Sequence, residues 1–262
     1  MGEDRGPYVV PLGVSAALPG PGDANSYVAV VRDGRFWLID CAGSPIQRLM
    51  TAGLDPLALQ GVFVTHFHPD HIYGLPALAL GLFLIAVERG HTWAQPVPIC
   101  ARPEVLTGVE ALLGLFAEQG WLASLPFTYR EVAATHEVPV ATTDDFVITA
   151  SPSAHSVPSM AVRFATRDRS STFVYSGDTA PCDAVLRLSA GADLLIHEAT
   201  DEDHGHTAAE DAGRLAAEAR VKHLGLIHYQ TDPDRRDGIR ARASKAFGQP
   251  VTLVEPYARY YW

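Results

Sequence analysis

Short apolar runs, broken by turn residues and by amphipathic stretches, give the chain its rhythm. Runs of apolar and small residues predict strands at 8–14, 27–31 and 35–39. The last two meet at Arg32-Asp33-Gly34-Arg35, where Asp-Gly tolerates the positive φ of a tight hairpin. Short helices are predicted at 46–52 and 56–59, and Gly61-Val-Phe-Val64 reads as a buried strand. Helical periodicity over 73–89 and 103–118, with a short strand at 97–100 between them, sets up a β-α-β alternation. The apolar run 75–87 contains Pro76 and Gly81 and is too short to span a bilayer, so it reads as a buried helix. Segments 126–132, 136–140 and 145–150 are short strands whose pairing the pattern leaves open. Beyond them follow an apolar strand from Phe173, a helix at 181–190 and a strand at 193–197. A helix capped by His206 or Thr207 and running to 219, a strand at 221–228 and a closing Arg-bearing helix complete the chain.

The polar residues that end these apolar runs change the picture from fold to chemistry. Thr65-His-Phe-His-Pro-Asp-His71 follows the 61–64 strand, placing His66, His68, Asp70 and His71 together in a chain with only 11 His. Neutral imidazoles and carboxylates are ligands for zinc and its neighbours among the divalent ions. The helical zinc-protease pattern does not fit, because it sets two His one turn apart around a Glu. In a turn, His66 and His68 can face one centre while Asp70 and His71 face another. Asp178 ends the strand from Phe173, with Gly177 allowing a close turn, and its carboxylate can offer one oxygen to each of two cations. Asp40 closes the 35–39 strand and needs a partner if buried, unless it serves only as a helix cap. His155 stands alone in the Ser- and Pro-rich loop 151–158, and His228 ends the 221–228 run, whose first His, His223, reads as a solvent-edge residue.

Composition narrows the class. The 47% hydrophobic and 19% charged residues are those of a soluble globular enzyme. With 20 basic against 30 acidic residues, the net charge of −10 disfavours a partner held through phosphates. Arg235, Arg236, Arg240 and Arg242 of the closing helix accordingly read as a solvated face. Cys41, Cys100 and Cys182 are widely spaced, which indicates neither a disulfide framework nor a thiolate metal site and suits a reducing cytoplasm. The acidic first residues lack the apolar stretch of a secretion signal, so a cytoplasmic location is expected.

The 65–71 motif resembles the His-x-His-x-Asp-His signature of the metallo-β-lactamase-fold hydrolases. Ser176-Gly-Asp-Thr179 and His197-Glu-Ala-Thr200 are similar to the ribonuclease Z branch of that superfamily. The resemblance implies one domain over 1–262 with an α+β fold, a four-layer αββα sandwich. It implies two divalent metals, most simply zinc, with manganese or iron as alternatives. His66, His68 and His155 would form the first centre and Asp70, His71 and His228 the second, with Asp178 bridging and Asp40 beneath the histidines. The catalytic set it implies is Asp70, His206 and Glu198: His206 as the acid near the leaving group, unless it merely caps the next helix, and Glu198 as its support. Hydrolysis by metal-activated water is the expected chemistry. Ribonuclease Z carries a long arm between its third and fourth metal motifs, whereas only Ser156 to Gly177 separate His155 from Asp178 here. The expected substrate is therefore a small phosphodiester or related ester, with nucleic acid disfavoured, no membrane and a homodimer left open. The alternatives are an iron-dependent dioxygenase or oxidoreductase of the same fold, a transfer-RNA 3′ processing endonuclease, and a relative that keeps the fold only for binding.

Overall fold

Three apolar strands, β1 (Tyr8–Gly13), β2 (Tyr27–Arg32) and β3 (Arg35–Ile39), form an antiparallel meander in the computed structural model. The structure describes residues 6–116, 120–200, 205–230 and 232–262. The β2–β3 turn takes positive φ at Asp33 and Gly34, as the Asp-Gly pair predicts. From β3 onward the sheet grows by helical crossovers. After α1 (Pro45–Thr51) come β4 (Leu59–Phe63), α2 (Pro69–Ile72), α3 (Leu75–Arg89), β5 (Val97–Ala101), α4 (Pro103–Gly114) and β6 (Phe127–Glu131). Strands β3 to β6 run parallel. The second half repeats this plan. An antiparallel set of β7 (Val138–Thr142), β8 (Phe146–Ser153), β9 (Ser159–Thr166) and β10 (Thr172–Tyr175) leads into a parallel set. That set contains α5 (Asp183–Leu188), β11 (Leu194–Glu198), α6 (Ala209–Glu218), β12 (His223–Ile227), α7 (Pro233–Phe247) and β13 (Thr252–Leu253). Finally β14 (Tyr260–Tyr261) pairs with β1, giving two seven-stranded sheets.

The sheets bury their inner faces against each other through Trp37 and Phe63 on one side and Phe146, Phe164 and Phe173 on the other. Trp37 meets Phe164 edge-on at 6.4 Å between ring centroids. Helices α1, α3 and α4 cover the outer face of the first sheet with Leu49, Leu78, Leu82 and Val109. Helices α5, α6 and α7 cover the second with Val185, Leu215, Ile239 and Phe247. Each such side chain, fully buried, contributes about 1.5–3 kcal/mol. The result is the αββα sandwich of the metallo-β-lactamase fold.

Several local expectations change. The 73–89 periodicity is interrupted at Gly74, where the backbone presses against Cys41; a Cβ would lie 2.8 Å from the Cys41 carbonyl oxygen. Helix α3 is only half buried: Leu78, Ala79 and Leu82 face the sheet while Leu80, Leu84 and Val87 face solvent. The helix expected over 103–118 ends at Gly114, and its last two positions lie outside the described residues. Neither His206 nor Thr207 caps α6, whose N-cap is Ala208. The β9–β10 connection is a tight turn in which Asp168 accepts from Ser170, and Arg169 adopts positive φ, so no arm projects there.

Candidate metal centre

The parallel strands of both sheets, together with β8, deliver their carboxyl ends to one edge, and the candidate residues sit there or just beyond. Asp40 follows β3, residues 65–71 follow β4, His155 follows β8, Asp178 follows β10, Glu198 ends β11 and His228 follows β12. Two of these turns are made by non-glycine residues at positive φ, Asp40 at 63° and His228 at 52°, strain that recurs where a functional side chain must be aimed. Gly177, at φ 58°, has no alternative, since a Cβ would lie 2.9 Å from the Met160 carbonyl oxygen.

Hydrogen bonds decide which nitrogen each imidazole presents. Thr65 donates its hydroxyl hydrogen to Asp40 (2.9 Å) and so accepts from Nδ1 of His66 (2.9 Å). His71 Nδ1 donates to Asp40 (2.8 Å) and His155 Nδ1 to the Gly205 carbonyl (2.8 Å). Across the site, Thr200 donates to Glu198 (2.8 Å) and accepts from Nδ1 of His228 (2.8 Å), while His206 Nδ1 donates to Glu198 (3.0 Å). In His66, His71, His155 and His228 the Nδ1 proton is thus committed outward and Nε2 is turned inward, while His206 commits its Nδ1 proton to Glu198. His68 turns its Nδ1 inward instead, 3.1 Å from His66 Nε2 and 3.3 Å from His155 Nε2.

These inward nitrogens cannot satisfy one another. At most one proton is shared among His66 Nε2, His68 Nδ1 and His155 Nε2, and His71 Nε2 is buried with no hydrogen-bond partner. Asp178 Oδ2 lies 3.8 Å from His66 Nε2 and 3.4 Å from Nε2 of both His71 and His228, while its Oδ1 is also buried without a partner. Asp70 Oδ2 is 3.4 Å from His71 Nε2 and 3.5 Å from His228 Nε2. One donor group, His66, His68, His155 and Asp178, and another, Asp70, His71 and His228, each have ligand atoms within 4.8 Å of one another. Convergent imidazole nitrogens and carboxylate oxygens, with too few protons to pair them all, fit divalent cations.

Electrostatics agree with this. Burial, reinforced by His71, holds His66 well below the usual imidazole range, and burial with His155 lowers His68, so both are neutral and able to ligate. Burial alone would depress His71 as well, but the Asp178 and Asp40 carboxylates outweigh it and raise it. A cation held at Nε2 would take the place of that proton. Burial opposes ionisation of Asp178, and the imidazoles of His228 and His71 overcome it and hold the carboxyl well below its usual range.

The structure therefore brings together all the residues expected in the site: His66, His68, Asp70, His71, His155, Asp178 and His228 as donors, Asp40 beneath them, and His206 with Glu198 alongside. Sequence reasoning missed the hydroxyls of Thr65 and Thr200, whose only signal was adjacency to the motifs. It also missed the loop Ala16–Asp23, which with His206, His228, Gln230 and Arg236 encloses a cavity of about 730 Å³. Of the four Arg read as a solvated face, Arg235, Arg240 and Arg242 are exposed, but Arg236 borders this cavity.

Residues 35–229 match the model of the beta-lactamase superfamily domain. Ribonuclease Z of Methanothermobacter thermautotrophicus is 28% identical, the match covering 93% of this chain and 92% of that protein. The metallo-beta-lactamase fold protein YhfI from Bacillus subtilis superimposes with a TM-score of 0.80 at 23% identity, covering 97% of this chain and 98% of its own. The short form of human tRNase Z superimposes with a TM-score of 0.78 at 24% identity and the same coverage. The two ribonuclease Z relatives overturn the expectation of a small-molecule ester partner with nucleic acid disfavoured, since they are named for nuclease activity and match over nearly their whole length. The physical reason is that a net charge of −10 averages over the whole surface and says nothing of the potential in one cleft. With its family model matched over most of its length and its donors gathered at one sheet edge, the chain belongs to the beta-lactamase superfamily, as a metal-dependent hydrolase of the ribonuclease Z-like branch.

Proposed function

We propose that the protein is an endoribonuclease of the ribonuclease Z type, cleaving a phosphodiester bond in precursor transfer RNA. The observation that carries this reading is the His206–Glu198 pair set beside a two-centre donor cluster: His206 Nδ1 is held 3.0 Å from Glu198, leaving Nε2 to face the cavity next to His228. In this reading His66, His68 and His155 would hold one divalent ion and Asp70, His71 and His228 the second, with the Asp178 carboxylate available to both. Zinc suits the imidazole-rich donor set. Such ions supply Lewis-acid stabilisation of the charge that develops on the phosphate and lower the pKa of water.

The chain's own groups do the rest. Asp70 keeps an oxygen free to accept a proton from the attacking water. His206 carries a proton on Nε2 to the departing oxygen, and Glu198 stabilises the charged imidazole and fixes its orientation. The apolar sandwich behind the site keeps these groups in place through the strand ends that bear them.

The test is cleavage of a precursor transfer RNA by the zinc-loaded protein, followed against salt, beside bis(nitrophenyl) phosphate. Efficient RNA cleavage that falls steeply with rising salt is expected. Turnover of the small diester with no cleavage of the RNA would overturn the proposal.

A further inference from the structure

Arg236 occupies an unusual position for a cation in an acidic protein. It lies in the first turn of α7, half buried, with its guanidinium 5.7 Å from the centroid of the Tyr229 ring. Its Nε is buried with no hydrogen-bond partner, and no ion pair to a carboxylate engages it among the described residues. It is the only Lys or Arg among the described residues lining the cavity that holds His206 and His228, where Asp23 and Asp232 are also found. Tyr229 does not let it drift. That ring is buried, its hydroxyl donates to the Val254 carbonyl (2.9 Å), and its backbone oxygen accepts from Ala16 of the facing loop (3.2 Å).

A guanidinium stacked on an aromatic face is oriented in advance, and leaving its buried Nε–H unmatched costs free energy that an anion would recover. Arg240 and Arg242, by contrast, are matched to Asp237 (2.7 Å) and Glu210 (2.9 Å). We infer that Arg236 binds the backbone phosphate of the nucleotide next to the cleaved bond, on the leaving-group side where His206 lies. This rests on the reading of the protein as a ribonuclease and adds to it the residue that grips RNA close to the site.

The test pairs a substrate change with a side-chain change. In a short RNA with a mapped cut, the linkage adjacent to the cut on the leaving-group side is made a methylphosphonate, which keeps the shape and removes the charge. The wild-type protein is expected to lose about 10–100-fold in kcat/KM on this substrate, mostly in KM, the range of a charged phosphate contact. Arg236→Gln should show a similar loss on the unmodified RNA and less than about threefold further loss on the neutral linkage, and Arg236→Lys should recover part of it. Losses that simply multiply, or a wild-type protein indifferent to the neutral linkage, would overturn the assignment. The second of these needs no variant, so it stands even if Arg236→Gln fails to fold. A wild-type protein that cleaves no RNA at all overturns the ribonuclease reading and this inference with it, whereas multiplying losses on a cleaved RNA overturn the inference alone.

Discussion

Two buried carboxylates, one from each sheet, perform matching tasks on opposite sides of the site. Asp40 follows β3 and Glu198 ends β11, exposed by 0% and 1% respectively. Each grips one imidazole directly, His71 for Asp40 and His206 for Glu198. Each steers a second imidazole through a threonine hydroxyl, His66 through Thr65 and His228 through Thr200. Each also accepts backbone N–H groups, Asp40 from Thr65, and Glu198 from Thr179, Thr200 and Thr207. A buried carboxylate without such donors would be costly, so the same atoms that make these charges tolerable also orient the imidazoles. The difference lies in what is held. Both imidazoles on the Asp40 side belong to the two main donor groups, whereas Glu198 holds His228 of the second group and His206, which groups only with Asp178 and His228 and also lines the cavity. In the proposed mechanism the second sheet therefore ties metal holding to proton delivery, and the first serves the donor cluster alone.

The largest expected effect tests that division from the side of Glu198. His206→Ala should leave metal content unchanged and slow turnover of RNA by about 10²–10⁴, the usual size of a general-acid contribution. The loss should shrink for bis(nitrophenyl) phosphate, whose leaving group departs without a proton. An equal loss for both substrates would mean that His206 does not supply the proton, and a loss of metal would make it a donor like its neighbours.

The next largest effect separates the two carboxylates. Asp40→Asn should weaken metal binding by about 10–100-fold, since two donor imidazoles lose their support. Glu198→Gln should reduce turnover more than it reduces metal affinity. Metal titration with a competing chelator checks both, and equal loss of affinity in the two variants would erase the distinction between the sheets.

Smallest are the effects of the hydroxyl relays. Thr65→Val and Thr200→Val each strand a buried imidazole N–H and remove a donor from a buried carboxylate, at a cost of about 1–3 kcal/mol. Denaturant unfolding of the apo protein is the measurement. A cost below about 0.5 kcal/mol in both would show that the relays do not bear on stability.

The same contrast explains what was legible in the linear chain. His66, His68, Asp70 and His71 crowd into one loop, so their chemistry was evident from spacing alone, and the strands that carry them announced themselves by apolar runs. His155, Asp178, His206 and His228 each stand alone in sequence and could be placed only through family likeness. Strand pairing over 126–153 was unreadable because β7 and β8 pair through a register shift and β6 belongs to the other sheet. The roles of Thr65 and Thr200 and the position of Arg236 likewise had no local signature, as hydrogen-bond partners and cavity walls are set by which strand ends meet.

By itself the sequence determined most of the secondary elements and the metal-binding character of the 65–71 loop, because apolar period and donor density are local properties of the chain, while the αββα class was implied by family resemblance. Only the tertiary structure decided which nitrogen each histidine presents, that Asp40 and Glu198 brace opposite halves of one site, and that a single arginine of α7 faces the cavity. Those outcomes depend on contacts between residues far apart in sequence, such as Asp40 with His71 and Thr200 with His228, which exist only once the two sheets bring their strand ends to a common edge.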